Sequence, residues 1–249
     1  MSWLVFPART PSPAPAARLF CLPHAGAGAS VFRGWPGGLP AGVEVGAVQL
    51  PGREARLAEP LMTNMGELIG ALGKALKPYL DCPFALYGHS MGARVAFELA
   101  RSLRSRGRMP AALFVSGCPA PQIPLRQSYH QLSAEQFLAA FRELGGTPPE
   151  AFQYPELLEM MLPILKADFS LAETCPYSAE PPLDCPIVAY CGDEDTEAPV
   201  GDVDAWRAQT SSSFSRHVLP GGHFFVQERQ GELLWLLAAE LAKLVPGVG

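Results

Sequence analysis

Residues 88–92, Gly88-His89-Ser90-Met91-Gly92, spell G-x-S-x-G between the apolar run Phe84 to Tyr87 and the helical run Ala93 to Leu103. That strand-turn-helix setting lifts a serine hydroxyl clear of the backbone. A serine hydroxyl is a poor nucleophile at neutral pH and needs a neighbouring base to take its proton, while the flanking glycines let strand and helix approach closely enough to form the turn. Ser90 is therefore the candidate nucleophile. The plainer account makes it an N-capping serine at a glycine-rich helix start.

A nucleophile in this setting calls for an acid and then a histidine later in the chain. His130, His217 and His223 lie downstream. His217 sits in the alternating run SFSRHVL, which reads as a strand, and His130 falls in the stretch 119–186, which reads as an inserted lid. His223 follows Pro220-Gly221-Gly222 directly after a strand, on a loop that brings an imidazole over the sheet edge, and is the expected base. The acid should follow the run IVAYCG, where Gly192-Asp193-Glu194-Asp195 offers several carboxylates. Its task is to accept the imidazole Nδ1–H and stabilise the imidazolium. Asp195, further out in the loop, is assigned; Asp193, beside the strand, reads as a turn former. Asp202 and Asp204 suit the start of a short helix. His24 reads as a loop residue that orders backbone, and His89 as packing beside the nucleophile.

A tetrahedral intermediate also needs hydrogen-bond donors for its oxyanion. The N–H of Met91 is one, and the N–H of Ala25, in Leu22-Pro23-His24-Ala25-Gly26-Ala27-Gly28, is the other. That segment matches neither G-x-G-x-x-G nor G-x-x-x-x-G-K-[ST], so no nucleotide site is expected.

The elements that must hold these groups alternate along the chain. Runs at 19–23, 43–50, 84–88, 111–117, 187–192 and 215–222 read as strands; 66–80, 91–104, 203–210 and 231–244 read as helices. Strands apolar on both faces and separated by helices indicate an α/β fold with a mostly parallel sheet covered on both sides. Residues 119–186 break the alternation with two helical patterns. One follows the capping box Ser133/Gln136 and stops at Gly145-Gly146; the other runs from Pro155 to Ala172, with Pro163 expected to bend it. About 65 residues are too many for a simple crossover, so this stretch is expected to be an inserted helical lid whose apolar face lines a chamber and whose motion gates it. Extra core helices packed on the sheet are the alternative. The organisation expected is a flexible tail over 1–17, a core over 18–118 and 187–249, and the lid over 119–186.

The chain has 249 residues, 48% of them apolar and 17% charged, with a net charge of −5. Whole-chain disorder is excluded, and there is no positive field to gather nucleic acid or anionic membrane. Six cysteines stand at 21, 82, 118, 175, 185 and 191, never as C-x-x-C or at zinc-ligand spacing. They read as reduced thiols, with no metal site. Trp3 to Phe6 is too short for a signal peptide, and Leu233 to Val245, interrupted by Glu240 and Lys243, is too short to span a bilayer. A soluble, cytoplasmic protein is expected. Arg101, Arg104, Arg106 and Arg108 cluster at the end of the helix after Ser90; complementing the helix C-terminus accounts for them, and a docking patch for an acidic carrier protein is the sharper idea.

Taken in order, LPHAGAG (22–28), QLPGRE (49–54), GHSMGARVAFELA (88–100), LSAEQF, ELGGTPPE, GDEDTEAP (192–199) and PGGHFF (220–225) resemble the type II thioesterases, from about residue 18 to 244. These are stand-alone α/β-hydrolases that accompany polyketide synthases and nonribosomal peptide synthetases. The resemblance implies hydrolysis of acyl thioesters on the phosphopantetheine arm of acyl or peptidyl carrier proteins, an editing role, and no cofactor of the enzyme's own. It implies a triad on Ser90, Asp195 and His223, with the amides of Ala25 and Met91 as the oxyanion hole. The family often has adjacent glycines where Ala27 stands, and Ala27 is expected to narrow the nearby pocket. A product-releasing thioesterase or cyclase, or a carboxylesterase, would use the same residues. An inactive hydrolase fold serving as a binding module is the reading from another class, against which the complete triad speaks.

Overall fold

Each of the six apolar runs forms a strand, and they lie parallel in one sheet. The computed structural model describes residues 2–7, 15–124, 126–145, 150 and 153–244. In chain order the strands are β1 (Leu4–Val5), β2 (Ala17–Leu22), β3 (Val43–Val48), β4 (Phe84–His89), β5 (Ala112–Ser116), β6 (Ile187–Gly192) and β7 (Phe214–Leu219). The helices are α1 (Met65–Leu76), α2 (Met91–Arg104), α3 (Ala134–Leu144), α4 (Pro155–Glu173), α5 (Val200–Asp204), α6 (Phe225–Glu228) and α7 (Gln230–Leu244). The sheet order is β1-β3-β2-β4-β5-β6-β7, parallel except where β1 runs against β3.

Strands β2 to β6 are buried along their whole length, and their period of two sends apolar side chains to both faces. From β4, Phe84 and Leu86 join a core with α1 and α2, through Leu68, Leu72, Val95 and Leu99. Ala85 and Tyr87 face the other core, completed by Phe32, Trp35 and, from α7, Leu233, Leu237 and Leu241. Two apolar faces on each central strand are what a doubly covered parallel sheet requires.

The chain leaves β2 toward β3 and then returns to place β4 on the other side of β2. The connections therefore diverge at the carboxyl ends of β2 and β4, and a crevice opens where an open α/β sheet binds its ligands. Both the Leu22–Gly28 loop and the Ser90 turn emerge there.

One expectation is corrected. The start of the supposed tail is ordered structure: Leu4 pairs with Val48 and Val5 with Ala47, the Gln49 N–H donates to the Trp3 carbonyl at 2.9 Å, and the Arg56 guanidinium stacks 3.9 Å from the Trp3 ring centroid. A two-residue strand carries no readable period. Residues 8–14 lie outside the described residues.

Between β5 and β6 the two expected helices are present. Ser133 and Gln136 form the reciprocal capping box of α3, while Gly145 ends the helix at φ 76°; Gly146 lies outside the described residues. Helix α4 continues through Pro163, whose missing N–H leaves the Glu159 carbonyl without its helical donor. Tyr129, Phe137, Phe141 and Leu165 form a small core of their own, with Phe169 packed between Tyr129 and Phe137. The other end of α4 is tied to the main core through Leu171.

The six cysteines are free thiols, four of them buried. No helix among the described residues is long and apolar enough to cross a membrane.

Candidate active site

Ser90 occupies the turn between β4 and α2 at φ 55°, ψ −120°, a conformation that side chains rarely adopt and that costs about 1–3 kcal/mol. The turn is tight enough to require both glycines. A Cβ on Gly88 would stand 2.1 Å from the Gly92 carbonyl oxygen, and one on Gly92 would stand 2.3 Å from that of Leu22. The Ser90 N–H donates to the Ser116 carbonyl at 2.8 Å, fixing the turn to β5. Ser90 is formally the N-cap of α2, yet its side chain makes no capping bond. The capping account therefore fails.

The hydroxyl faces His223. Ser90 Oγ lies 3.0 Å from His223 Nε2, and His223 Nδ1 lies 3.0 Å from Asp195 Oδ2. A carboxylate only accepts, so Nδ1 carries the proton and Nε2 presents its lone pair to Ser90. Asp195 Oδ1 also accepts from the amides of Glu197 and Ala198 at 2.9 and 3.0 Å. Burial pushes the Asp195 carboxyl up, but the hydrogen bond and charge of His223 and those two amides outweigh it and hold it below its ordinary value. Asp193 turns away to accept from the Gly221 N–H at 2.9 Å, lacing the β6 and β7 loops together. A Cβ on Gly192 would meet the Gly221 carbonyl oxygen at 2.2 Å, so these loops pack as closely as the serine turn.

Ala25 and Met91 line the same cavity as Ser90 and His223, a space of about 120 Å³. Neither backbone N–H has a protein acceptor among the described residues. Phe141, Leu144 and Phe169 from α3 and α4 supply apolar wall, so the segment between β5 and β6 roofs the chamber. Ala27 is buried and does not line it, which corrects the expected narrowing.

With this geometry in view, the comparisons with known proteins are specific. The family model for the thioesterase domain matches residues 17–241. The chain belongs to the thioesterase family. It is 43% identical over 226 residues to the gramicidin S biosynthesis protein GrsT of Aneurinibacillus migulanus, covering 90% of this chain and 88% of that protein. The solved structure of the RedJ thioesterase, from the prodiginine biosynthetic pathway in Streptomyces coelicolor, superposes with a TM-score of 0.87 at 39% identity, covering 94% of this chain and 97% of that one. That of BorB, a type II thioesterase from the borrelidin biosynthetic cluster, gives 0.84 at 35% identity, covering 98% and 96%. The fold is that of the α/β-hydrolases, and the enzyme is a thioester hydrolase of the serine-hydrolase type.

The remaining histidines of the thioesterase have packing and pairing roles. His89 is buried, with Nδ1 3.0 Å from Ser116 Oγ and its ring 5.1 Å from that of His223. Burial first, then the charges of His223 and His24, hold it well below the ordinary imidazole value. His24 donates from Nδ1 to the Ala25 carbonyl at 3.0 Å, ordering that loop as expected. His130 pairs with Glu173 at 2.5 Å. His217 lies on β7, stacked on Tyr190.

The brace behind the Ala25 loop is the part that sequence reasoning missed. From α4, Asp168 accepts the Gly26 N–H at 2.8 Å and both terminal nitrogens of Arg53, at 2.5 and 2.8 Å. Arg53 also donates to the Ala27 carbonyl at 3.3 Å, and the Ala29 N–H donates to Gln49 Oε1 at 3.0 Å. The phrase QLPGRE supplies Gln49 and Arg53, but nothing in its spacing points to a partner 115 residues away. Two of the four clustered arginines are engaged within the fold. Arg101 and Arg104 both pair with Glu180, Arg101 bonds the Ser178 carbonyl, and Arg104 bonds those of Pro181 and Pro182, so they fasten that segment to α2.

Proposed function

We propose that this thioesterase is a type II editing enzyme. It removes acyl groups from the phosphopantetheine arm of acyl or peptidyl carrier proteins belonging to a polyketide synthase or nonribosomal peptide synthetase, and it works in the cytoplasm. The observation that carries the reading is the continuous line from Ser90 through His223 to Asp195, opening on a chamber with two unspent amides. Relatives such as BorB, a type II thioesterase of a biosynthetic cluster, and GrsT, of gramicidin S biosynthesis, support the pathway context.

In this scheme Ser90 Oγ attacks the thioester carbonyl while His223 Nε2 takes its proton. The oxyanion is held by the amides of Ala25 and Met91, and Asp195 stabilises the imidazolium. Collapse breaks the C–S bond, His223 returns the proton to the leaving pantetheine thiolate, and an acyl ester remains on Ser90. A water molecule, deprotonated by the same imidazole, then releases the carboxylic acid. The scheme draws on no metal or organic cofactor; phosphopantetheine arrives with the substrate. The segment 119–186 acts as the lid, its apolar wall enclosing the acyl chain and its motion admitting it.

The test is to load one carrier protein with a panel of acyl groups and follow deacylation by intact mass spectrometry. Hydrolysis of short units across the panel, abolished in Ser90→Ala, is the expected result. Release of a single mature chain alone would replace editing by product release, and an undiminished Ser90→Ala would remove the nucleophile assignment.

A further inference from the structure

Tyr129 belongs to the segment between β5 and β6, yet its hydroxyl reaches the loop that carries Asp195, donating to Glu197 Oε2 at 3.0 Å. The tyrosine is only 8% exposed. Burial first, then the charge and hydrogen bond of Glu197, hold its pKa well above the ordinary value, so it remains a donor. It is also anchored on its own side. The ring packs 5.1 Å from that of Phe169, and the N–H groups of Tyr129 and His130 donate to Glu173, the last residue of α4, at 3.0 Å each. The far end of the bond leads to the triad. The Glu197 N–H donates to Asp195 Oδ1 at 2.9 Å, beside that of Ala198 at 3.0 Å. With Oδ1 held by these two amides, Oδ2 is left to meet His223 Nδ1 at 3.0 Å.

Asp195, Glu197 and Ala198 all lie on the connection from β6 to α5. Ala198 is fully buried and fixes that connection from the core, whereas Glu197 is half-buried and is fixed through its side chain. Glu143, Glu194 and Glu197 share the lining of a polar cavity of about 300 Å³ that also touches His223, so a Glu197 carboxylate deprived of its donor would face like charges and shift. We infer that Tyr129 and Glu197 are positioning residues: the bond between them holds the Glu197 amide where it aims the Asp195 carboxylate, so the segment 119–186 sets the triad as well as roofing the chamber. Other ties from this segment land beyond the acid, Arg126 on Asp202 and Gln122 on the Ala205 carbonyl. A bond to a charged acceptor is stronger than one between neutral groups, which suits it to fixing a loop. The inference rests on the reading of Ser90, His223 and Asp195 as the triad.

The test compares the full chain with Tyr129→Phe, Glu197→Gln, Glu197→Ala and the double variant Tyr129→Phe/Glu197→Ala on acetyl and hexanoyl N-acetylcysteamine thioesters. Rates are expressed per serine titrated by a fluorophosphonate, which corrects for misfolded protein. Tyr129→Phe keeps the ring and its packing and removes only the donor. A misaimed acid slows His223 in acylation and deacylation alike, so kcat should fall about tenfold for both thioesters with KM unchanged. Glu197→Ala should match it, and the double variant should be no slower than either single one, because both remove the same bond. Glu197→Gln keeps an acceptor oxygen and should regain most of the rate. An undiminished kcat in Tyr129→Phe overturns the proposal, as does a double variant in which the two losses multiply. A raised KM, or a loss that grows with chain length, makes the pair a wall of the chamber only and also overturns it. Asp195→Asn at the wild-type rate would remove the triad reading and the proposal with it; a nearly inactive Asp195→Asn beside an unchanged Tyr129→Phe removes the proposal alone.

Discussion

At Ser90 the backbone is held in an unfavourable conformation by the Ser116 carbonyl, which accepts its N–H, and by the close packing of Gly88 on Gly92 around it, while the side chain is met by His223. The strain is tolerable because β4 and α2 are fixed by burial, and it aims Oγ at the imidazole rather than at the helix amides. Asp195 is the other end of that line. Asp195→Asn keeps the shape but presents an amide where a carboxylate held the Nδ1 proton, so kcat should fall by about 10⁴ with KM little changed, measured by steady-state hydrolysis. Its folded-state pKa lies below the ordinary value of 3.8, so the stability it contributes is complete above that value and is lost as pH falls through the lower folded-state value. An activity loss at milder acidity therefore belongs to another group. Glycine spacing made Ser90 legible in the sequence.

Among the elements, α4 does two jobs. Its Phe169 and Ala172 line the chamber, and its Asp168 grips the loop that carries the Ala25 amide. The Arg53–Asp168 pair is buried, with both side chains at most 5% exposed. Removing one partner strands a charge, so Arg53→Met should cost about 3–5 kcal/mol in urea denaturation and lower kcat as the loop loosens. Arg53→Met with Asp168→Leu should regain much of the stability while leaving kcat low, because the Gly26 amide then loses its acceptor. Phe169→Ala deepens the chamber and should shift the acyl preference toward longer or bulkier groups, read from the carrier-bound panel. Apolar runs and caps revealed α3 and α4 in advance. They did not reveal the clamp, which joins residues 115 positions apart and has no local signature.

For the molecule as a whole, the site exists because two loops diverge at one sheet position, and the strands that create that position were readable from alternating apolar side chains facing two cores. Strand β1 was not readable, since two residues have no period and their partner strand is distant in sequence. Stability should also report the buried imidazole behind the site. His89 stays neutral in the folded state but takes a proton near its ordinary value of 6.5 when unfolded, so stability falls as pH drops below that value. Chemical denaturation between about pH 7 and about pH 5 should show a shallower loss for His89→Gln than for the wild type.

The cysteines bear on how such an enzyme is watched at work. Burial raises the thiol of Cys21 well above its usual range and those of Cys118, Cys185 and Cys191 to about 11, 12 and 11; Cys82 and Cys175 are also raised. Thiolate is the reactive form, so at neutral pH the four buried thiols react poorly with aromatic disulfide dyes. Colour from such a reagent then counts the thiol freed by thioester hydrolysis, with little background from the buried cysteines of the catalyst.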